Sequence, residues 1–536
     1  MNRFAELIDM LAFTPSRNAK LVLLQEHFRT VPDPERGYAL AAIARDLDIP
    51  AVKPAQLRAL ISARMDPELF ALSYDYVGDL AETIALAWPQ KSGNRAGRND
   101  APGLTEVVET LVAASRQAGP ALVEDWLDRL DGQGRYALLK LVTGGFRMGL
   151  SGRLIKQALA GFGNVHVNEI EELWHGLAPP YLELFAWLEG RAPKPVNAAA
   201  APFRPVMLSH AIDKSDFEKL DPADFVAEWK WDGIRVQATS ERGVHRLYTR
   251  TGDDISATFP DLVDAFGFDG TLDGELLVAR LVDGGIETGS FSDLQQRLNR
   301  KSVTAKQLRS HPAFFRAYDL LQDGDEDLRG LSFVERRAQL ETLVSTLDPA
   351  RFDCSQMLAF SDWDALAALR ANPPLTVIEG VMIKRKTALY LPGRPKGEWF
   401  KWKRDPFLID AVLMYAQRGH GKRSGFYSDY TFGVWRAPGE LVPVGKAYFG
   451  FTDEELTQID RFVRTNTIER FGPVRSVRAE PDLGLVFEVA FEGINRSSRH
   501  KSGVAMRFPR ISRLRWDKPP HEADRLETLE RMIDTR

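Results

Sequence analysis

Through the first 195 positions, apolar residues recur at three- and four-residue steps, the spacing of amphipathic helices. The pattern predicts helices over residues 1–11, 18–28, 37–47, 104–118, 121–130, 134–143 and 152–159. Thr14-Pro15-Ser16 and Asp33-Pro34 mark helix starts or loops. A stretch over 90–103 with three glycines and Lys91, Arg95 and Arg98 reads as a loop. Pro193, Pro195, Pro202 and a run of alanines between 191 and 203 read as a linker. Beyond it the period changes. β-Branched and aromatic runs at 225–231, 234–239, 244–249, 274–280, 313–321 and 377–384 predict strands, with helices at 291–298 and 333–346 between them. After residue 405, strands are expected at 408–416, 430–435, 441–447 and 485–492, a helix at 453–465 and a loose helix after Pro520.

The expected fold class is therefore multidomain. An all-α region spans 1–195, an α+β region 204–403, and a small β-barrel 405–536 whose strand content suits the oligonucleotide-binding type. A length of 536 residues agrees, being too great for one hydrophobic core. With 44% hydrophobic and 27% charged residues the composition is that of an ordinary globular protein. No apolar run approaches the length of a membrane span, and the first residues lack a signal-peptide core, so the expected location is cytoplasmic. The single cysteine, Cys354, excludes an internal disulfide and a cysteine-rich zinc site.

A net charge of −4 does not announce a nucleic-acid binder, but the balance turns positive after residue 405. Basic residues cluster at 394–404, 418–423 and 496–515, interleaved with Trp399, Trp402, Tyr427, Tyr430 and Phe508. Such clusters fit a phosphate-contacting surface and, equally, a solvated face. Gly144 to Ser151, a glycine-bounded turn carrying Arg147, is either a phosphate-holding turn or an ordinary connection between helices.

The candidate chemistry centres on Glu228-Trp229-Lys230-Trp231-Asp232-Gly233-Ile234-Arg235. On a strand, Glu228, Lys230 and Asp232 share one face and the two tryptophans the other. A lysine nucleophile must be neutral, which neighbouring cations and burial favour. Arg235 and the pair Lys401 and Lys403 are candidate cations. Asp273 and Glu275 alternate onto one face of another strand, and Glu379 lies on a third; Mg²⁺ takes one or two such carboxylates with phosphate oxygens and water. Tyr318 is an aromatic suited to stacking on a purine. The pattern Gly-x-x-x-x-Gly-Lys-Ser/Thr is absent, so a nucleotide must be held by other means.

Taken in order, these segments resemble the covalent lysine nucleotidyltransferases, specifically the ATP-dependent DNA ligases. The segments are 230–235, Tyr248-Thr249-Arg250-Thr251-Gly252, 272–278, 317–321, 379–384 and Trp399-Phe400-Lys401-Trp402-Lys403, followed by Arg507-Phe508-Pro509-Arg510 and the run to Lys518. The resemblance covers nearly the whole chain. It implies that ATP adenylates Lys230, that Glu228 contacts adenine, and that Tyr318 stacks on the nucleotide. Arg235 and Arg250 would meet AMP or a DNA 5′-phosphate, and Lys401 and Lys403 the α-phosphate. Glu275 and Glu379 would bind Mg²⁺, with Mn²⁺ as a substitute, while Arg510 and Lys518 orient pyrophosphate. DNA contacts are implied for Arg147 and for the 291–301 segment with Arg297, Arg300 and Lys301. The implied partner is nicked duplex DNA, encircled by a monomer, with repair proteins unspecified. The layout resembles bacterial repair ligases, among them a group labelled for cisplatin damage response. RNA ligases and capping guanylyltransferases share the lysine motif, and a catalytically inactive DNA-binding scaffold would share the fold. Strict alternation puts Glu379 and Lys384, five residues apart, on opposite faces, which argues against a shared role.

Overall fold

The computed structural model describes residues 1–536 apart from 90–100, 147, 198, 299, 301–302, 419–426, 449, 451, 473, 498–499 and 535–536. The chain forms two units, one of residues 1–362 with 382–401 and the other of residues 363–381 with 402–536.

The first unit begins with helices, among them Asn2–Phe13, Arg17–Thr30, Glu35–Ala44, Gly132–Thr143 and Gly152–Gly163. Ser16, Asp131 and Ser151 start three of them by accepting a hydrogen bond from an amide of the first turn. The expected helix over 104–118 ends at Ala113, and a new one, Gly119–Arg129, begins at its own proline-bearing first turn. Three further helices, Pro54–Ser62, Pro67–Val77 and Leu80–Ala87, fill the interval that the periodicity left blank. Their apolar faces join one core built on Leu7, Leu11, Leu24, Phe28, Leu40, Leu138, Leu159 and Phe185.

Two sheets follow. The first has the order Val244–Thr249, Ile234–Glu241, Gly270–Val282, Ala313–Asp323 and Glu326–Asp327; Gly285–Thr288 and Phe352–Cys354 pair with its third and fourth strands. The second has the order His210–Ala211, Trp399–Lys403, Ile378–Arg385, Phe225–Trp231 and Met357–Leu358. Helix Phe333–Val344 opens on a reciprocal Ser332 and Glu335 cap. The helical region meets the sheets through polar and aromatic contacts. Arg329 reaches Glu172 at 2.9 Å, and the His175 ring lies 5.5 Å from Phe203 and 5.1 Å from Tyr248.

The second unit holds helix Trp363–Ala371 and an antiparallel sheet ordered Glu440–Ala447, Tyr427–Ala437, Phe407–Arg418, Val474–Val477 and Thr467–Phe471. Strand Phe407–Arg418 changes partner along its length: its first half pairs with Val486–Phe491 and its second with Val474–Val477. Strand Val486–Phe491 in turn pairs with Arg510–Arg515. The helix expected at 453–465 forms over Asp453–Thr465, and the tail helix is Leu526–Asp534. Among the described residues no helix is long and apolar enough to cross a membrane.

Candidate active site

Strand Phe225–Trp231 sets the geometry. Trp229 and Trp231 are buried on one side, while Lys230 is half exposed. Arg316 lies 3.9 Å above the Trp231 ring and is tied to Asp353 by hydrogen bonds of 2.8 and 2.5 Å, so the indole is clamped. Two residues before Lys230, Glu228 is 2% exposed and its carboxylate is ion-paired with the equally buried Lys384. The Lys384 ammonium sits 4.7 Å from the ring of Tyr318, 4.7 Å from Phe333 and 4.5 Å from Trp399. Two buried charges out of water are costly unless paired, and here pairing and three π faces offset that cost.

Lys384 thus has a direct place beside the strand of Lys230, contrary to the alternation argument. Gly380, between Glu379 and Lys384, has φ +149°. A Cβ there would lie 2.2 Å from the carbonyl oxygen of Trp402. This conformation, open essentially to glycine alone, interrupts the two-residue period, so counting alternation through it fails.

Asp273 and Glu275 separate in role. Asp273 is fully buried and accepts hydrogen bonds from Arg235 Nε at 3.0 Å, Arg235 Nη2 at 2.5 Å and the Tyr390 hydroxyl at 2.6 Å. Arg235 also donates to the Met207 carbonyl at 2.6 Å. Burial, with Asp273 beside it, pushes the Tyr390 hydroxyl well above the usual tyrosine range, keeping it a neutral donor. Asp273 is therefore the anchor of Arg235. Glu275, only half buried, lies in cross-strand register with Arg235 on one side and Arg316 on the other. Tyr318 is half buried, with Arg235 5.7 Å from its ring. Arg250 is exposed at a turn closed by the Thr249 amide donating to the Asp253 carbonyl at 2.9 Å.

Lys401 and Lys403 share strand Trp399–Lys403, where Lys401 pairs in parallel register with Ala211. In the second unit Lys403 lies 3.7 Å from Glu379 and 3.6 Å from Glu492. Arg507 lies 3.7 Å from Glu379, Arg510 binds Glu492 at 2.9 Å, and Lys518 binds Asp410 at 2.7 Å. Lys403, Arg510 and Lys518, three of the cations expected to meet phosphate, are here held by carboxylates of their own unit.

One expectation needs correction. Arg297 is fully buried, with its guanidinium on Asp261 at 2.6 and 3.0 Å and on the carbonyls of Thr258 and His311 at 2.8 and 3.0 Å. It is an internal strut, with no surface to offer DNA. Arg300 is exposed, its Nε donating to the Gln296 carbonyl. Arg147 and Lys301 lie outside the described residues.

Sequence reasoning missed Tyr390, and it missed the fully buried pair of Arg336 and Asp319, joined at 2.8 and 3.0 Å behind Tyr318. Asp319 follows Tyr318 immediately, which was the available clue. The lone thiol, Cys354, sits at the end of strand Phe352–Cys354, half buried, and burial pushes its pKa up to about 11.

The arrangement supplies a half-exposed lysine, a half-buried tyrosine ring, several cations and half-buried carboxylates, groups of the kind that phosphoryl transfer uses. Comparisons with known proteins agree. Residues 206–403 match the ATP dependent DNA ligase domain, and residues 423–518 match the ATP dependent DNA ligase C terminal region. A probable DNA ligase of Koribacter versatilis is 33% identical, over 99% of this chain and 96% of its own. A DNA ligase 1 of Korarchaeum cryptofilum is 30% identical, over 100% of this chain and 98% of its own. The solved structure titled Pmar-Lig_Pre. shares the fold at 15% identity, with a TM-score of 0.58 over 96% of this chain and 99% of that one. Likeness running from end to end at this identity, with both family regions matched, places the chain in the ATP-dependent DNA ligase family.

Proposed function

We propose that Lys230 is the nucleophile of a nick-sealing reaction that runs through three phosphoryl transfers. The observation that carries this reading is the position of Lys230, half exposed on a strand whose tryptophans are buried, two residues from the paired Glu228. In the first transfer the Lys230 amine attacks the α-phosphorus of ATP, forming a phosphoramide bond to AMP and releasing pyrophosphate. AMP then passes to the 5′-phosphate at a nick, and the adjacent 3′-hydroxyl displaces it to seal the strand. Tyr318 stacks on the base, Glu228 faces its edge, and Lys401 and Lys403 meet the α-phosphate. Arg235, locked by Asp273, and the exposed Arg250 meet the AMP moiety or the DNA 5′-phosphate.

Mg²⁺ is assigned to Glu275 and Glu379. Mg²⁺ typically takes one or two carboxylates and completes its shell with substrate phosphates and water. Bound there, the ion would neutralise phosphate charge. Glu379 must first leave Lys403 and Arg507, and Arg510 and Lys518 must leave Glu492 and Asp410 before they can orient pyrophosphate.

The domain assignment is residues 1–195 for DNA binding, 204–403 for adenylation and 405–536 for an OB barrel. Support for the barrel is the way strand Phe407–Arg418 switches partner midway, as strands do when a sheet curls. A monomer encircling duplex DNA, acting in repair as in the bacterial cisplatin-response group, is the biological setting we favour. Incubation with α-labelled ATP and Mg²⁺ tests the chemistry: label is expected on wild type and absent from Lys230→Ala. Label retained by that variant refutes the nucleophile. Transfer of GMP to RNA ends without nick sealing refutes the DNA ligase assignment.

A further inference from the structure

Behind Lys230 the structure leaves two opposite polar groups unsatisfied side by side. The second Glu228 oxygen, Oε2, and Arg337 Nη1 are both buried, and neither makes a hydrogen bond among the described residues. They stand 3.9 Å apart, close enough to attract and too far to bond. Everything around them is fixed. The other Glu228 oxygen is held by Lys384, while Arg337 Nε donates to Glu341 at 2.7 Å and Nη2 to the Ser355 carbonyl at 2.7 Å. The Ser355 hydroxyl, fully buried beside them, is also unsatisfied. Buried orphans of this kind cost free energy, and an acceptor and a donor left open together describe the edge of a missing ligand.

We propose that Arg337 is a specificity-determining residue for the nucleotide base, donating from Nη1 to the ring nitrogen that flanks the 6-amino group of adenine while Glu228 Oε2 accepts from that amino group. This rests on the assignment of Glu228 to the base made above. The pair then reads a donor next to an acceptor in a fixed order. Guanine, held in the same pose, presents O6 where the amino group stood, so Glu228 faces oxygen whichever ring nitrogen is read; if that nitrogen is N1, Arg337 also faces an N–H. A carboxylate facing O6 makes the rejection electrostatic as well as geometric, and Lys384 and Arg337 hold that carboxylate in place.

The test compares Lys230 labelling by ATP, 1-deaza-ATP and 7-deaza-ATP, each lacking one candidate ring nitrogen, in wild type and Arg337→Met. Wild type should show a KM about 10- to 100-fold higher for one of the two analogues, the range of a hydrogen bond to a charged donor, with kcat little changed. Arg337→Met should lose that discrimination while its KM for ATP rises to match. Equal KM for all three nucleotides in wild type overturns the proposal, since the orphan groups then serve only trapped water. Discrimination that persists in the variant overturns it as well. If Arg337→Met fails to fold, the wild-type comparison decides alone. Wild type that takes no label from ATP itself would instead defeat the nucleophile assignment, a separate outcome.

Discussion

Replacing Lys384 by Met removes the main counterion of a carboxylate that is 2% exposed. The methionine stem keeps the apolar contacts with Phe333 and Trp399, so the cost is chiefly electrostatic. Breaking a buried pair from one side costs about 3–5 kcal/mol. Arg337 remains 3.9 Å away and trims the figure. The expected destabilisation is therefore about 3 kcal/mol, at the low end of that range. Urea unfolding followed by tryptophan fluorescence measures it. Glu228→Gln combined with Lys384→Met should recover most of the stability, because the carboxylate left without its partner is gone, and should not recover labelling of Lys230. A penalty below about 1 kcal/mol for Lys384→Met, or no recovery in the double variant, would refute the reasoning.

Three further outcomes are expected. Burial lowers the His175 pKa from 6.5 to about 4, so its folded state stays neutral while the unfolded chain takes up a proton; stability falls as pH drops from 6.5 towards 4, by up to roughly 3 kcal/mol. Acid titration of unfolding should be shallower over that window in His175→Asn, and an unchanged slope would count against it. Gly380→Ala pushes a methyl towards the Trp402 carbonyl at a φ that side chains avoid, and should cost more than about 1 kcal/mol in chemical unfolding and slow nick sealing. Asp273→Asn leaves the Arg235 guanidinium without its carboxylate and should cost about 3–5 kcal/mol together with Lys230 adenylation; a stable, fully labelled protein would show that the anchor is dispensable.

Local patterning revealed elements wherever one residue type dominates a face. Strands Phe225–Trp231 and Val244–Thr249 and helix Asp453–Thr465 lie where periodicity puts them. It missed strand Arg510–Arg515, half of whose residues are arginine and whose buried Ile511 and Leu514 stand three apart. The irregularity opposite Glu488 and Val489, where Ser512 is skipped in the pairing, brings both inward, and no two-residue count can find it. The proposed site divides in the same way. Lys230, Glu275 and Tyr318 stand out as candidates in the sequence because chemistry and spacing coincide in short segments. Arg297 was misplaced because its partner Asp261 lies 36 residues away and its burial is a tertiary fact. Arg337, Lys384 and Tyr390 matter through neighbours from distant segments, which a linear reading does not bring together.

The isolated thiol of Cys354 has a practical consequence. With its pKa near 11, about one molecule in ten thousand carries the reactive thiolate at neutral pH. A cysteine introduced at an exposed position would react with a maleimide dye far faster, leaving the native residue in place. Two such substitutions within the second unit, which holds Glu379, Glu492 and Asp410 together with their cationic partners, yield a donor and acceptor pair while the native thiol stays untouched in the first unit. Single-molecule energy transfer then tests whether those ion pairs open when ATP and DNA are added.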